Sequence, residues 1–456
     1  MIKVITYGTF DLLHYGHVRL LERAKALGDY LIVGVTAEDF DKSRGKINVQ
    51  QSLMERVDAV RATGLADEVV IEEYEGQKID DIRRYGVDIF AIGSDWKGKF
   101  DYLNEYCRVI YLDRTAGISS TELRSQDQSF RLGLVGNSAY INKVERECQL
   151  VNGLHLSGIC TEKPEILSES LRNLPLMTRQ YDELLEVSDA VYLRTHPELH
   201  AEQIEKALLA GKHVLCESPV AFTVDECRRL YKLAEEKGLV FLEALKTAYA
   251  TAYTRLLLLA KNGKIGKVTS VDATCTSLLE VDPKDPEGLS GKWDSMSEWG
   301  PTALLPIFQI LGTNYCDMRI ASRFADREHK FDTFTRIFFE YEDAVASIKV
   351  GNQVKSEGEM IISGTKGYIL VPAPWWKTDY FEIRYENPAE NRRYFYQLDG
   401  EGIRYELVAF ARAMSTKHIL YGIEPEVSCA ISGVMEAFRA HKNLRVLQGG
   451  EKTSLY

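Results

Sequence analysis

Apolar and β-branched residues fill Lys3-Val4-Ile5-Thr6-Tyr7, and from Gly16 onward Val18, Leu20, Leu21 and Ala24 recur with helical spacing. A first strand turning into a first helix is therefore expected. The polar stretch Ser125-Gln126-Asp127-Gln128-Ser129 closes this region, and Phe130-Arg131-Leu132-Gly133-Leu134-Val135-Gly136 opens a new strand. Strand and helix patterns then alternate through 156–160, 190–193, a helix around 202–210, and 213–216. That alternation predicts a parallel sheet with crossover helices. After about residue 265 the strands lengthen, 333–339 and 346–350 among them, as in a mainly antiparallel α+β region.

At 456 residues the chain exceeds one hydrophobic core. An α/β protein with domains at 1–126, 130–262 and 263–456 is expected. Hydrophobic content of 45% with 27% charge is that of a globular protein. No apolar run approaches membrane-spanning length and the chain enters a strand at once, so no membrane insertion and a cytoplasmic location are expected. The eight cysteines show no CxxC pair, which favours free thiols in a reducing compartment over metal or disulfide roles. A formal charge of −11 argues against nucleic acid as a partner, while leaving room for basic loops that hold phosphates.

The first strand-to-helix junction carries the chemistry. His14 and His17, in Thr9-Phe10-Asp11-Leu12-Leu13-His14-Tyr15-Gly16-His17, are three apart and share a helical face. A helix N-terminus offers free N–H groups and a positive dipole end. Imidazoles there suit the stabilisation of negative charge on a nucleotide α-phosphate and a departing pyrophosphate. Ordinary N-terminal helix histidines would look the same in isolation. A second motif, Arg114-Thr115-Ala116-Gly117-Ile118-Ser119-Ser120-Thr121-Glu122, points the other way. Ser119 and Glu122 have capping-box spacing, but a plain cap explains neither Arg114 nor Gly117.

These motifs, with Gly8-Thr9-Phe10-Asp11 before the first, resemble the glycerol-3-phosphate cytidylyltransferases of the nucleotidyltransferase superfamily. The likeness runs to about residue 125 through Leu20-Leu21-Glu22-Arg23-Ala24-Lys25, Gly28-Asp29-Tyr30, Asp67-Glu68-Val69 and Asp95-Trp96-Lys97-Gly98-Lys99-Phe100-Asp101. It implies a Rossmann-like domain in which His14, His17, Arg114, Gly117, Ile118, Ser119, Ser120 and Thr121 hold the CTP phosphates, with Thr9 and Phe10 beside them. The family's mobile loop lysine corresponds to Lys46, with Lys42 or Arg44 as alternatives. Asp11 would lie near the attacking acceptor, and Asp95 and Trp96 near cytidine or acceptor. Asp67 is expected to read the cytosine amino group, since a carboxylate accepts from that donor. Ala62-Thr63-Gly64 stands where the family often has an arginine, leaving Arg56 and Arg61 as substitutes. The implied activity is transfer of CMP from CTP to a small polyol phosphate, glycerol 3-phosphate by resemblance, with Mg²⁺ neutralising the triphosphate. Products of this type feed teichoic-acid or capsule assembly.

Residues 130–456 resemble the glucose-fructose oxidoreductase and inositol dehydrogenase family, a Rossmann domain followed by a sheet domain. The likeness is carried by Leu199-His200-Ala201-Glu202, Ala210-Gly211-Lys212-His213-Val214-Leu215-Cys216-Glu217-Ser218-Pro219, Ala234-Glu235-Glu236-Lys237-Gly238 and Ile362-Ser363-Gly364-Thr365-Lys366-Gly367. It implies NAD(P) near Gly136, Asn137, Ser138, Thr161 and Glu217. The motifs are altered, however. Only the first glycine of the dinucleotide turn survives, and Thr161 stands where an acidic ribose ligand is expected. The family's Glu-Lys-Pro is Glu217-Ser218-Pro219, and serine cannot act as that acid near neutral pH. Alignment through Glu298-Trp299-Gly300-Pro301-Thr302 puts Glu298 and Thr302 at the family's aspartate and histidine. These losses favour an accessory binding or oligomerisation module; the alternative is an active reductase that makes the polyol phosphate. His196 and His200 follow a strand end, where capping competes with ligand binding, and Lys246 is a pocket candidate or an ordinary ion-paired lysine. Trp375-Trp376 and Tyr394-Phe395-Tyr396 read as sheet packing. Both parent families commonly assemble, so a homo-oligomer is expected.

Overall fold

The computed structural model describes the chain except residues 11–12, 14, 38–52, 74–75, 114–128, 152, 280–288, 290–291, 327, 329, 397, 418–421 and 448–456, and the side chains of 15, 95, 399 and 416. The chain divides into two compact units, Met1–Asp127 and Gln128–Tyr456.

In the first unit β1 (Lys3–Gly8), α1 (Tyr15–Lys25), β2 (Tyr30–Thr36), α2 (Leu53–Ala62), β3 (Glu68–Glu72), α3 (Gln77–Tyr85), β4 (Ile89–Gly93) and β5 (Arg108–Leu112) follow in order. The strands form one parallel sheet in the order β3-β2-β1-β4-β5. The chain winds outward from β1 in one direction and resumes on its other side at β4, so the crevice between these strands is the switch point. Ile5, Ile32, Val70, Phe90 and Phe100 fill the core. In α1 the buried residues are Leu21 and Ala24, while Arg23 and Lys25 occupy the last turn, where cations complement the helix dipole. Tyr7 lies opposite Gly34 in register, and a Cβ on Gly34 would meet the Tyr7 ring at 2.2 Å. Only glycine admits that ring.

The second unit opens with β6 (Phe130–Gly136), α4 (Ile141–Cys148), β7 (Leu154–Cys160), β8 (Met177–Thr178), α5 (Tyr181–Val187), β9 (Ala190–Arg194), α6 (His200–Leu209), β10 (His213–Glu217), α7 (Val224–Lys237) and β11 (Phe241–Ala244). Its six strands are parallel in the order β11-β10-β9-β6-β7-β8, with the switch point between β6 and β9. After α8 (Thr251–Lys261) come β12 (Val268–Thr276), α9 (Ser295–Leu311), β13 (Asp317–Phe324), β14 (Asp332–Glu340), β15 (Val345–Gly351), β16 (Met360–Gly364), β17 (Gly367–Val371), β18 (Tyr380–Tyr385), β19 (Arg392–Phe395), α10 (Ile403–Thr416), α11 (Pro425–Arg439) and β20 (Leu444–Val446). The strands from β12 onward form a nine-stranded sheet, antiparallel except for the β12/β15 and β13/β20 pairs. Alternation along its strands buries one face under α8, α9 and α11, in a core that includes Tyr253, Phe308, Ile337, Ile348 and Phe438.

A linear boundary at residue 262 does not describe the packing. Ile403, Leu407, Phe410 and Met414 on α10 belong to the core of the parallel sheet, with Leu132, Leu134 and Tyr192. Helical spacing puts these four side chains on one apolar stripe, and the exposed flank of that sheet is the surface that covers it. No helix among the described residues is long and apolar enough to cross a membrane. Phe410 is fully buried. Phe410→Ala should therefore destabilise the second unit by about 3–5 kcal/mol. Urea unfolding followed through the tryptophans at 293, 299, 375 and 376 checks this; a loss under about 1 kcal/mol would mean that α10 is not part of that core.

Candidate functional sites

In the first unit the carboxyl ends of β1 and β4 bring together the segments that follow them. Phe10 has φ 52°, left-handed for a bulky residue, and its ring is buried edge-on against the His17 imidazole, 5.5 Å away. Such a conformation costs about 1 kcal/mol or more and needs external support. Gly8 gives part of it, since a Cβ there would lie 3.0 Å from the Phe10 ring. Arg56 gives the rest. Its fully buried guanidinium donates to the carbonyls of Thr9 at 2.7 Å and Thr36 at 2.8 Å, tying the end of β1 to the end of β2. Arg56 is thus a brace for the loop. His17, in the first turn of α1, is half-buried. Trp96 follows β4 at the same edge, its ring 5.8 Å from Phe100 with the Lys99 ammonium 5.0 Å from its centre.

Below this edge lies a polar network that sequence reasoning missed. Thr36 and Glu72 pair in register at the ends of β2 and β3, and the Thr36 hydroxyl donates to Glu72 at 2.9 Å. Lys78 ion-pairs with Glu72 and stands 4.6 Å from the centre of the Tyr7 ring. Tyr7 donates to Asp81 at 2.7 Å, and burial pushes the Tyr7 phenol and the Asp81 carboxyl upward. The available signal was a polar residue closing each of two strands with apolar interiors.

Asp67 does not join this site. It precedes β3, at the amino edge of the sheet, where its carboxylate accepts from Leu31 N–H at 2.6 Å and pairs with Lys25 at the far end of α1 from His17. Eleven helical residues span about 16 Å, so Asp67 and His17 mark opposite ends of the helix. The expectation that Asp67 reads the cytosine is therefore corrected: its carboxylate is held at the amino edge by Leu31 and Lys25. His14, Lys46, Arg114, Asp11, Gly117, Ile118, Ser119, Ser120 and Thr121 lie outside the described residues, as does the Asp95 side chain.

In the second unit a cavity of about 340 Å³ opens at the carboxyl ends of β9, β10 and β11. Ser218, Glu298 and Thr302 all line it, so the three substituted positions do meet at one place. Glu298 and Thr302 are one turn apart on α9. The Ser218 hydroxyl donates to buried Glu243, which also accepts from Ser428, and burial pushes the Glu243 carboxyl upward. Glu217 ion-pairs with Arg194 at 3.5 Å, and that guanidinium lies 4.2 Å from the centre of the Tyr140 ring and 4.9 Å from that of Trp293. Lys246, just beyond β11, enters the same cavity. Trp376 lines it too, which corrects a pure packing role, whereas Trp375 is fully buried and Tyr394 stacks on Phe381 at 4.7 Å.

At the switch point of this unit, Gly136 passes so close to β9 that a Cβ would lie 2.7 Å from the Arg194 carbonyl. The Asn137 amide oxygen accepts from the Thr161 hydroxyl at 3.0 Å and Glu162 N–H at 2.8 Å, clasping the end of β6 to the end of β7. The Ser138 hydroxyl is buried with no partner among the described residues. A close backbone pass and an orphaned donor at the start of α4 suit a phosphate group. His196 caps the turn Pro197–Leu199. His200 is fully buried, its ring nitrogens 2.8 Å from the Pro219 carbonyl and 3.2 Å from that of Thr195, and burial pulls its pKa down to about 4. Both histidines are structural.

Comparison with known proteins matches two stretches of the chain to two families. The cytidylyltransferase-like family matches residues 5–126, and the oxidoreductase family with an NAD-binding Rossmann fold matches residues 130–244. The first unit defines a nucleotidyltransferase. Glycerol-3-phosphate cytidylyltransferase of Bacillus spizizenii is 54% identical over 124 residues, 27% of this chain and 95% of its own length, and that of Staphylococcus aureus is 45% identical over 130 residues, 28% of this chain and 95% of its own. The chain belongs to the cytidylyltransferase-like family through this unit and is a relative of the glycerol-3-phosphate cytidylyltransferases. The second unit has an oxidoreductase fold. A 3-ketoreductase of Actinomadura kijaniata, solved with NADP and TDP-benzene, superposes with TM-score 0.58 at 20% identity, covering 70% of this chain and 99% of its own. An oxidoreductase of Agrobacterium radiobacter, solved with NAD⁺, L-tartaric acid and magnesium, gives 0.57 at 14%, covering 69% and 96%.

Because Asp67 lies at the amino edge, Asp67→Ala should leave turnover of CTP within about threefold of wild type while loosening α1, in line with an exposed ion pair. Steady-state pyrophosphate release measures the first effect, and amide exchange of α1 the second. A loss of turnover of 10²-fold or more, with the fold intact, would return Asp67 to the site.

Proposed function

We propose that the first unit transfers CMP from CTP to a small polyol phosphate, glycerol 3-phosphate being the favoured acceptor, and releases pyrophosphate. The supporting observation is the β1/β4 crevice, where a strained loop braced by Arg56 sets Phe10 against His17 at the N-terminus of α1. The names of the similar transferases point to the same acceptor. An oxygen of the acceptor phosphate attacks the α-phosphorus in line, and the bond to the bridging oxygen of the β-phosphate breaks, its electron pair leaving with pyrophosphate. The protein need only position the reactants and stabilise charge. The resemblance assigns His14, His17, Arg114 and Lys46 to charge stabilisation, Gly117, Ile118, Ser119, Ser120 and Thr121 to phosphate binding, and Asp11, Asp95 and Trp96 to the acceptor and the nucleoside. Mg²⁺ arrives on the triphosphate and offsets its charge. The protein works in the cytoplasm as a homo-oligomer.

A second activity is favoured by the cavity of the other unit, which gathers cations, carboxyls and aromatic rings at the end of a parallel sheet. In this reading the unit reduces the keto precursor of the polyol phosphate. Gly136, Asn137 and Ser138 at the start of α4, with Thr161, would hold a nicotinamide dinucleotide, which supplies hydride. The fused chain then carries out two successive steps.

Removing one charge-stabilising donor costs about 10²–10³ in turnover. His17→Ala should therefore lower pyrophosphate release from CTP and glycerol 3-phosphate by at least that factor, with an unchanged circular dichroism spectrum. A folded variant with the wild-type rate would defeat the assignment.

A further inference from the structure

Reduction of a ketone needs a proton at the carbonyl oxygen as hydride reaches carbon. Position 218 cannot supply it: the Ser218 hydroxyl donates to Glu243, and a serine does not titrate near neutrality. Lys246, Glu298, Tyr140 and Arg194 line the cavity with no side-chain hydrogen bond among the described residues, but burial drives the Tyr140 phenol well above its ordinary value and Arg194, paired with Glu217, keeps its proton. Burial pushes the Glu298 carboxyl upward, but Arg194 beside it favours the carboxylate, which repels a developing alkoxide, whereas an ammonium group both stabilises the alkoxide and gives it a proton.

We infer that Lys246 is the proton donor of the second unit, acting on the carbonyl oxygen of a short phosphorylated ketose. The inference rests on the reading of this unit as a reductase. Lys246 opens the one-turn helix Lys246–Tyr249 immediately after β11, so the rigid edge of the parallel sheet sets its position. Its ammonium lies 5.5 Å from the centre of the Tyr140 ring and 3.7 Å from a Glu401 oxygen, close enough for attraction but too far for a hydrogen bond. Lys377 holds Glu401 at 2.9 Å, and Arg194 and Lys377 leave cationic groups in the same cavity for the phosphate.

The groups facing Lys246 come from every element around it. Glu406 on α10, Glu217 at the end of β10 and Glu401 favour the charged form, and Lys377 opposes it; Glu298 on α9 also senses the ammonium. Glu406 is buried with both oxygens unpartnered among the described residues, and burial holds its carboxyl well above the usual range. Burial outweighs these carboxyls at Lys246 and brings its pKa below the ordinary value. A donor so adjusted releases its proton more readily near neutrality. In the step, two electrons reach the carbonyl carbon as hydride from a reduced nicotinamide. The carbonyl π pair moves onto oxygen, and oxygen takes a proton from Lys246 Nζ. Lys246 is left neutral and regains a proton from water through the cavity mouth.

The test uses the full chain with NADPH and the keto forms of glycerol, erythritol and ribitol phosphates. The wild type, Lys246→Met and Lys246→Arg are compared across pH. The wild type should consume NADPH, with a rate that falls as pH rises through the titration of Lys246. Lys246→Met should lower the rate by about 10²-fold or more and lose that alkaline limb. Lys246→Arg should move the limb to higher pH. Binding of NADPH, read by energy transfer from the tryptophans, should stay within about threefold in Lys246→Met. A methionine variant with the wild-type rate and pH profile overturns the assignment while leaving the reductase reading in place. A wild type that binds NADPH but consumes none with these ketoses overturns it as well. Failure to bind NADPH removes the reductase reading and the inference together, and leaves CMP transfer, assayed on the same preparation, unaffected.

Discussion

Parallel pairing is the constraint on which both halves of the chain depend. When every strand of a sheet runs the same way, all carboxyl ends fall on one edge, and the loops leaving them diverge where the winding reverses. Each unit has one such place, between β1 and β4 in the first and between β6 and β9 in the second. Nothing in the sheet fills that crevice, so side chains from distant segments converge there. In the first unit they are Phe10, His17 and Trp96. In the second, Arg194 at the end of β9 lies against Tyr140, beyond the end of β6. The chemistry differs because the side chains differ, not because the scaffold does.

Convergence alone does not hold a site in shape. In both units fully buried polar groups behind the crevice fix the loops, and their burial would be costly without partners. Arg56 donates to the carbonyls of Thr9 and Thr36, and so fixes the loop that carries Phe10. Glu243 plays the matching part in the second unit, gathering Ser218 and Ser428 from segments far apart in sequence. Ser218 is thereby bound into a structural network. A serine where the resembled family has a lysine is thus held in the cavity wall by Glu243.

Much of this was legible in the sequence. Alternation of apolar runs with helical spacing gave β6 with the bounds the structure has, and placed α6, β14 and β15 within a residue or two. Such patterns are local, and local spacing determines them. Position 67 shows where locality fails: a carboxylate beside a strand could lie at either end of the sheet, and only the pairing with Lys25 across α1 decides which. Likewise, Arg56 reads as one more helical arginine until tertiary packing buries it. The return of α10 to the parallel sheet was invisible because its apolar stripe names no partner. The convergence of Ser218, Glu298 and Thr302 came through resemblance, since positions eighty residues apart carry no local sign of contact.

If the first unit is a cytidylyltransferase working on a polyol phosphate, CMP transfer needs nothing from the redox chemistry proposed for the second. The most direct measurement incubates the full chain with CTP, Mg²⁺ and glycerol, erythritol and ribitol phosphates in turn, without any nicotinamide cofactor, and weighs the nucleotide product by mass spectrometry. A CDP-polyol and pyrophosphate are expected in equal amounts with at least one acceptor, glycerol 3-phosphate first among them. Release of pyrophosphate independent of acceptor, or no CDP-polyol from any of the three, would contradict that reading.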